Sequence, residues 1–362
     1  MHRYFTASFL LIFLINTSIR AQSGRDNELF RRADSLHAKI LTIDTHTDTP
    51  MQFFSNKSID LGKWNPNTRV DFVKMQEGGL DAVFFAVFLE QGSRDNAGNI
   101  IAKNKALAIF KSIGDHISKY ADWVKLVTVP SDVYLAKRQG KKAVLLGIEN
   151  GYCIGNNLSN IHKFKQLGVA YITLSHTKNN DICDSSNDKP EHNGLSEFGI
   201  KVVREMNRLG IIVDVSHTSD KTIYDVVRYS KAPIIASHSC TRALTNNRRN
   251  LTDAMIRLIA KNGGVIQVCM VPHFVKSPLS GKATVADFVD HIDHVVSVAG
   301  IDYVGIGSDF DGGAGITGCK NVAEIKNITV ELLRRGYSPK DIEKIWSSNF
   351  LRVMAEVQNL AE

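Results

Sequence analysis

The chain has 362 residues, 43% hydrophobic and 22% charged, a balance that fits a globular protein large enough to hold its core without disulfides or a structural metal. Its formal net charge of +7 is scattered in pairs such as Arg31-Arg32, Lys141-Lys142 and Arg334-Arg335. No basic stripe with interleaved aromatic residues occurs, so nucleic-acid binding gets little support.

The first feature in chain order is an address. His2 and Arg3 precede Phe5 to Ile15, a run apolar apart from Thr6 and Ser8, and small or polar residues follow up to Ala21. The run is too short for a membrane span, so residues 1–21 read as a signal peptide. Cleavage near Ala21 leaves Ile19 as a poor residue at the third position before the cut, and an uncleaved anchor helix is the competing reading. Removal of Arg3 and Arg20 lowers the net charge by two, to +5. Residues 22–362, free of repeats and linkers, are expected to form a single domain in an exported, periplasmic or secreted protein. The first cysteine is Cys153 and the terminal EVQNLAE is polar, which argues against lipid anchors at either end.

Eight short apolar, β-branched runs then appear near residues 40–45, 80–88, 143–149, 169–175, 211–216, 233–238, 264–270 and 303–308. Amphipathic stretches separate most of them. Phe198, Val202, Met206 and Leu209 lie at helical spacing before a stop at Gly210. Ser219 or Asp220 opens another helix, and Thr252 or Asp253 a third that ends at Gly263. Strands alternating with helices predict an α/β protein with a (β/α)8 TIM barrel, in preference to a doubly wound open sheet. Parallel strands gather their C-terminal ends on one rim, where a barrel carries its chemistry.

The runs end in ligand-type residues. His46 and Asp48 close the first, and alternate positions on an extended backbone can reach one ion. Glu149 closes the third run. A salt bridge to Lys or Arg would satisfy a buried carboxylate there, and the sharper reading is a carboxylate giving one oxygen to each of two metals. His217 and His238 end the fifth and sixth runs in matching contexts, Val215-Ser216-His217 and Ala236-Ser237-His238. Two such histidines favour a metal, and imidazole suits zinc and other late first-row ions. His176 closes the fourth run, where a hydrogen bond to developing negative charge is a better use than further ligation. Arg248-Arg249 follows the sixth run, and one guanidinium could hold a substrate carboxylate; a surface pair is an equal alternative. Asp309 after the eighth run could carry a proton, whereas Asp311 before Gly312-Gly313 reads as a loop cap.

There are five cysteines and no CxxC pair. An exported protein could oxidise them in pairs, with at least one thiol left over. Cys240, two residues past His238, reads as a small buried residue rather than a ligand.

From Leu41 to Met354 the chain resembles the membrane dipeptidase (renal dipeptidase) family, peptidase M19, of the amidohydrolase superfamily. The motifs are Asp-Thr-His46-Thr-Asp48-Thr-Pro, Gly-Ile-Glu149-Asn-Gly, Thr-Leu-Ser-His176, Asp-Val-Ser-His217, Ala-Ser-His238-Ser, Arg248-Arg249-Asn250, Gly-Ser-Asp309-Phe-Asp-Gly and the closing Asn349-Phe-Leu-Arg-Val. The resemblance implies a barrel with two zinc ions (Zn2+). It places His46 and Asp48 on one ion, His217 and His238 on the other, and Glu149 between them. It assigns His176 to the scissile group, Arg249 rather than Arg248 to the C-terminal carboxylate, and Asp309 to proton transfer. The implied activity is zinc-dependent hydrolysis of dipeptides by a metal-bridging hydroxide, with D-residue-containing dipeptides left open. Other first-row divalent metals fit the same donors, and a homodimer is compatible with a family that is often dimeric.

Two departures bear on substrate choice. The commonest family opening is Asp-Gly-His-Asn-Asp, against Asp44-Thr45-His46-Thr47-Asp48 here, and Val271-Pro272-His273-Phe274 lacks the tyrosines of animal members. The rival readings are another binuclear amidohydrolase, acting on a cyclic amide, an N-acyl amino acid or a lactone, and an exported metal-binding barrel without turnover. Opening of carbapenem-type β-lactam rings is a compatible side activity.

Overall fold

The computed structural model describes residues 27–362. The expected signal peptide, residues 1–21, lies outside them. The strands are β1 (Ile43–Thr47), β2 (Ala82–Phe88), β3 (Val124–Leu126), β4 (Lys142–Glu149), β5 (Val169–Thr173), β6 (Ile212–Asp214), β7 (Ile235–Ala236), β8 (Val265–Val268) and β9 (Val304–Ile306). Eight of them pair in the order β1-β2-β4-β5-β6-β7-β8-β9, all parallel. The chain beyond β9 returns to β1. The Asp48 amide donates to the Phe310 carbonyl at 2.8 Å and the Asp309 amide to the His46 carbonyl at 3.0 Å. These bonds draw the sheet into a nearly closed (β/α)8 barrel, which rules out the open doubly wound sheet.

The eight runs become the eight ring strands, and the remaining strand, β3, is an addition outside them. It pairs with the start of β4, Val124 opposite Lys142, and takes no place in the ring order. Its segment, Val124-Lys125-Leu126, is interrupted by a charge and shows no continuous apolar run of the kind that marks the ring strands.

Strand alternation creates two apolar layers. Val83, Phe85 and Val87 of β2 pack outward among the helices, while Ala82 and Phe84 face the barrel interior. In β4, Val144, Leu146 and Ile148 go outward and Ala143 and Leu145 inward. The same parity brings Glu149, at the end of β4, to the barrel mouth. The interior is plugged from the opposite end by the helix Asn349–Asn359, whose Phe350, Leu351, Val353, Met354 and Val357 join the inner layer.

The helices between strands start where side-chain caps allow. Ser196 accepts from the Gly199 amide to open Glu197–Arg208, and Gly210 follows in the left-handed region at φ +64°. Ser219 caps Asp220–Tyr229 and Thr252 caps Asp253–Lys261, in each case the first of the two candidates. All five cysteines are buried and free, so none forms a disulfide. No helix among the described residues is long and apolar enough to cross a membrane.

Candidate metal centre

Every strand-end residue singled out by the sequence reaches the same rim. His46 lies within β1 and Asp48 just beyond it, and Glu149 is the last residue of β4. His176, His217, His238 and Asp309 stand two or three residues past β5, β6, β7 and β9. The chain turns sharply to present them. Asn150, His217, Asp309 and Asp311 all hold φ between +65° and +77°, which non-glycine residues rarely adopt. Such conformations cost about 1–3 kcal/mol each and collect at functional sites. Asp311 acts as the expected loop tie, accepting from the Thr49 hydroxyl and the Arg69 amide, each at 2.7 Å.

Glu149 is the hub. Its Oε2 lies 3.5 Å from His46 Nε2. Its Oε1 lies 2.9 Å from His217 Nε2, 3.5 Å from His238 Nε2 and 3.7 Å from His176 Nε2. The two oxygens of one carboxylate thus face different imidazoles. His217 Nε2 and His238 Nε2 are 2.8 Å apart. Three sets of donor atoms each fall within 4.8 Å of one another: His46, Glu149 and His238; Glu149, His176 and His217; and His46, Asp48 and Asp309. Gly312 covers the carboxylates so closely that a Cβ there would lie 2.1 Å from both Asp48 Oδ2 and Asp309 Oδ1.

These groups fit divalent cations. His46 Nε2 and Asp48 Oδ1 are buried without a hydrogen-bond partner, an arrangement that is costly unless something else binds them. Burial pushes the Asp48 carboxyl well above its ordinary value, and Glu149 and Asp309 add to the rise. Burial likewise raises Asp309 to about 7, against the opposing pull of His46 and Arg249. Burial also opposes a charge on Glu149, but His46 and His176 outweigh it and hold that carboxyl low. His217 and His238 are driven well below the usual imidazole range, by burial first and then by Arg249 and the neighbouring imidazoles. Neutral imidazoles beside crowded carboxylates are a donor set for hard-to-borderline metal ions such as zinc.

Above this cluster opens a cavity of about 360 Å³ lined by Asp48, Glu149, His176, His217, Arg249 and Asp309, among others. His46 and His238 lie beneath its floor, fully buried. A larger cavity of about 680 Å³ beside Lys201, Arg204 and Leu360 holds none of the three donor sets, so size alone does not locate the chemistry. The structure separates the two arginines: Arg248 is exposed, whereas Arg249 is buried at the cavity wall. Arg249 Nη2 donates to the His238 carbonyl at 3.1 Å, its guanidinium carbon lies 5.3 Å from the Phe274 ring centre, and its Nε has no partner. His176 is held edge-on to Phe88 and against His217, with its pKa lowered by burial.

The family model for membrane dipeptidase (peptidase family M19) matches residues 30–362. This chain belongs to the membrane dipeptidase family. It is 37% identical over 300 residues to dipeptidase tcpJ of Claviceps purpurea, an alignment covering 81% of this chain and 70% of that protein. Its fold superposes on the crystal structure of the probable dipeptidase PvdM from Pseudomonas aeruginosa with a TM-score of 0.88. Those two chains are 32% identical, over 92% of this chain and 100% of the other. A dipeptidase solved as a metallopeptidase of family M19 is 25% identical with a TM-score of 0.81, over 88% of this chain and 99% of that one. The chain is therefore an M19 metallodipeptidase with a candidate metal site on its barrel rim, and dipeptides are its substrates.

Other residues of this dipeptidase site escaped the sequence. Asn187 and Asn247 line the cavity from loops, with no strand end or motif to flag them. Asp214, buried at the end of β6, accepts from the Ser216 and Ser237 amides and from Ser237 Oγ. A carboxylate inside an apolar run was the available signal. Cys240 is buried as expected, its Sγ donating to the Cys269 carbonyl at 3.2 Å.

Proposed function

We propose that this metallodipeptidase is binuclear and uses zinc. His46 and Asp48 would hold one ion, His217 and His238 the other, and Glu149 would bridge them. The observation that carries the reading is the division of the Glu149 oxygens, Oε2 toward His46 and Oε1 toward His217 and His238. Divalent ions bound by these residues supply Lewis acidity and lower the pKa of water toward about 7, so that a nucleophile exists at neutral pH.

The side chains divide the remaining work. Arg249, a buried cation with a free Nε, binds the carboxylate of the substrate's C-terminal residue. That contact selects the C-terminal peptide bond, because only the last residue of a peptide places a free carboxylate next to the scissile bond. As water adds to the carbonyl carbon, Asp309 accepts its proton. His176, kept neutral by burial, donates a hydrogen bond to the carbonyl oxygen as negative charge develops there. Asp309 then gives the proton to the amine nitrogen while the C–N bond breaks. A carboxyl raised to about 7 suits a group that must both take and return a proton.

The test is elemental analysis of the purified protein together with a hydrolysis panel of L,L- and L,D-dipeptides, their C-terminal amides, N-acyl amino acids and lactones. Two zinc ions per chain and turnover confined to dipeptides with a free carboxylate are expected. Equal turnover of a dipeptide and its amide removes the role given to Arg249. No hydrolysis of any small amide by zinc-loaded protein overturns the catalytic assignment.

The export reading completes the proposal: residues 1–21 act as a signal peptide and the mature enzyme is periplasmic or secreted. N-terminal sequencing of the exported protein should begin near Gln22; a chain still starting at Met1 argues for the uncleaved anchor.

A further inference from the structure

Tyr171 has no place in the roles assigned so far. It lies in β5, fully buried, with its ring 5.1 Å from that of Phe84. Its hydroxyl oxygen is 2.7 Å from His46 Nδ1 and 3.1 Å from the Thr45 carbonyl oxygen. A carbonyl only accepts hydrogen bonds, so the phenol can satisfy both contacts at once only by giving its single proton to Thr45. The phenol oxygen is then left to accept, and the proton it accepts is the one on His46 Nδ1. The other ring nitrogen, Nε2, is the buried atom without a hydrogen-bond partner, 3.5 Å from Glu149 Oε2.

The seat for this phenol is built by a neighbour. Gly147 of β4 stands in register with Tyr171. A Cβ at Gly147 would come within 2.3 Å of Tyr171 Cζ and 2.7 Å of its hydroxyl. Only glycine leaves the ring room to reach His46.

We propose that Tyr171 is a positioning residue for the metal centre: its phenol keeps the His46 proton on Nδ1 and turns Nε2 toward the cation. This rests on the binuclear reading above. His238 is oriented by a separate device, its Nδ1 2.8 Å from Ser237 Oγ, which in turn donates to Asp214 Oδ2 at 2.6 Å. A phenol thus serves one imidazole and a hydroxyl–carboxylate pair the other, so the affinities for the two ions are set independently. Partners of this kind fix both the tautomer and the direction of a ligating histidine.

Zinc affinities measured by chelator competition test this on the unaltered protein, Tyr171→Phe, Ser237→Ala and the double variant. Tyr171→Phe removes one oxygen and keeps the ring. It should weaken one of the two ions by about 10–100-fold and leave the other in place. Ser237→Ala should weaken the other ion, and the double variant both. In the zinc-loaded protein the His46 Nδ1–H proton should give a downfield, slowly exchanging NMR signal that Tyr171→Phe moves upfield or loses. A role in packing alone leaves that signal and both affinities unchanged, and that result overturns the proposal. Gly147→Ala, which displaces the phenol without removing it, should reproduce the metal defect if Tyr171→Phe fails to fold. Unaltered protein that binds no zinc pair refutes the binuclear reading itself, an outcome distinct from unchanged affinities in Tyr171→Phe.

Discussion

At the N-terminal end of the barrel, Phe84, Leu145, Ile212 and Val265 pack against Phe350, Leu351, Val353 and Met354 of the closing helix. At the opposite rim, the buried Asp48, Glu149, Asp309, His46, His217, His238 and Arg249 crowd together beside the half-buried His176. The first end is apolar and close-packed. The second holds buried donors without partners and four residues at positive φ, Asn150, His217, Asp309 and Asp311. Both ends hang on the same short strands, some only two or three residues long. The contrast shows how a barrel tolerates a destabilised rim: its packing is concentrated at the other end, so strain needed for chemistry does not weaken the plug.

Substitutions at the two ends should therefore fail differently. The largest effect is expected from Glu149→Gln, which removes the carboxylate shared by two of the three donor sets; elemental analysis should find metal lost and activity at background. Retention of two metals by that variant would erase the proposed bridge. Asp309→Asn should keep the metals and lower kcat by roughly 10²–10⁴-fold, the range for a positioned acid–base group. A near-normal kcat would take Asp309 out of proton transfer.

The plug answers to a different measurement. Phe350→Ala, which vacates a buried ring 5.2 Å from Phe84, should cost about 3–5 kcal/mol of unfolding free energy. Its metal content and kcat should stay near normal under conditions where it remains folded. Loss of metal in that variant, at equal folded fraction, would show that the two ends are coupled after all. Arg249→Met should weaken kcat/KM for dipeptides by about 1.5–3 kcal/mol, as for a hydrogen bond to a charged group, and leave a dipeptide amide unaffected.

The smallest effect concerns pH. Burial, reinforced by Glu149, raises Asp309 to about 7 from 3.8, and Asp48 shifts the same way. A carboxyl raised in the folded state contributes stability that is full below its unfolded value and is lost as pH rises through the folded one. Metal-free protein should thus lose this contribution between about pH 4 and pH 7. Zinc replaces the missing positive charge, so its stabilisation should be larger at pH 7.5 than at pH 5. Thermal melts with and without zinc at the two values check the sign.

The rim was legible in sequence because each ligand-type residue ends an apolar run: His46, Glu149, His217 and His238 carry their own context. Asn187 and Asn247 were not legible, since loop residues reach a cavity only once the loops are folded over it. The pairing of Tyr171 with His46 spans 125 positions and depends on a glycine in a third strand. The strand β3 escaped because Lys125 breaks its apolar run.

The order of apolar runs and turns determined the barrel and the rim, because alternation and helical spacing are local properties that side-chain size and polarity impose on the backbone. The motifs determined the membership of the family. The tertiary structure alone decided which arginine is buried, which oxygen of Glu149 faces which imidazole, and which partners hold the second nitrogens of His46 and His238. Those are matters of direction and distance between strands far apart in the chain, and they arise only when the sheet curls round on itself.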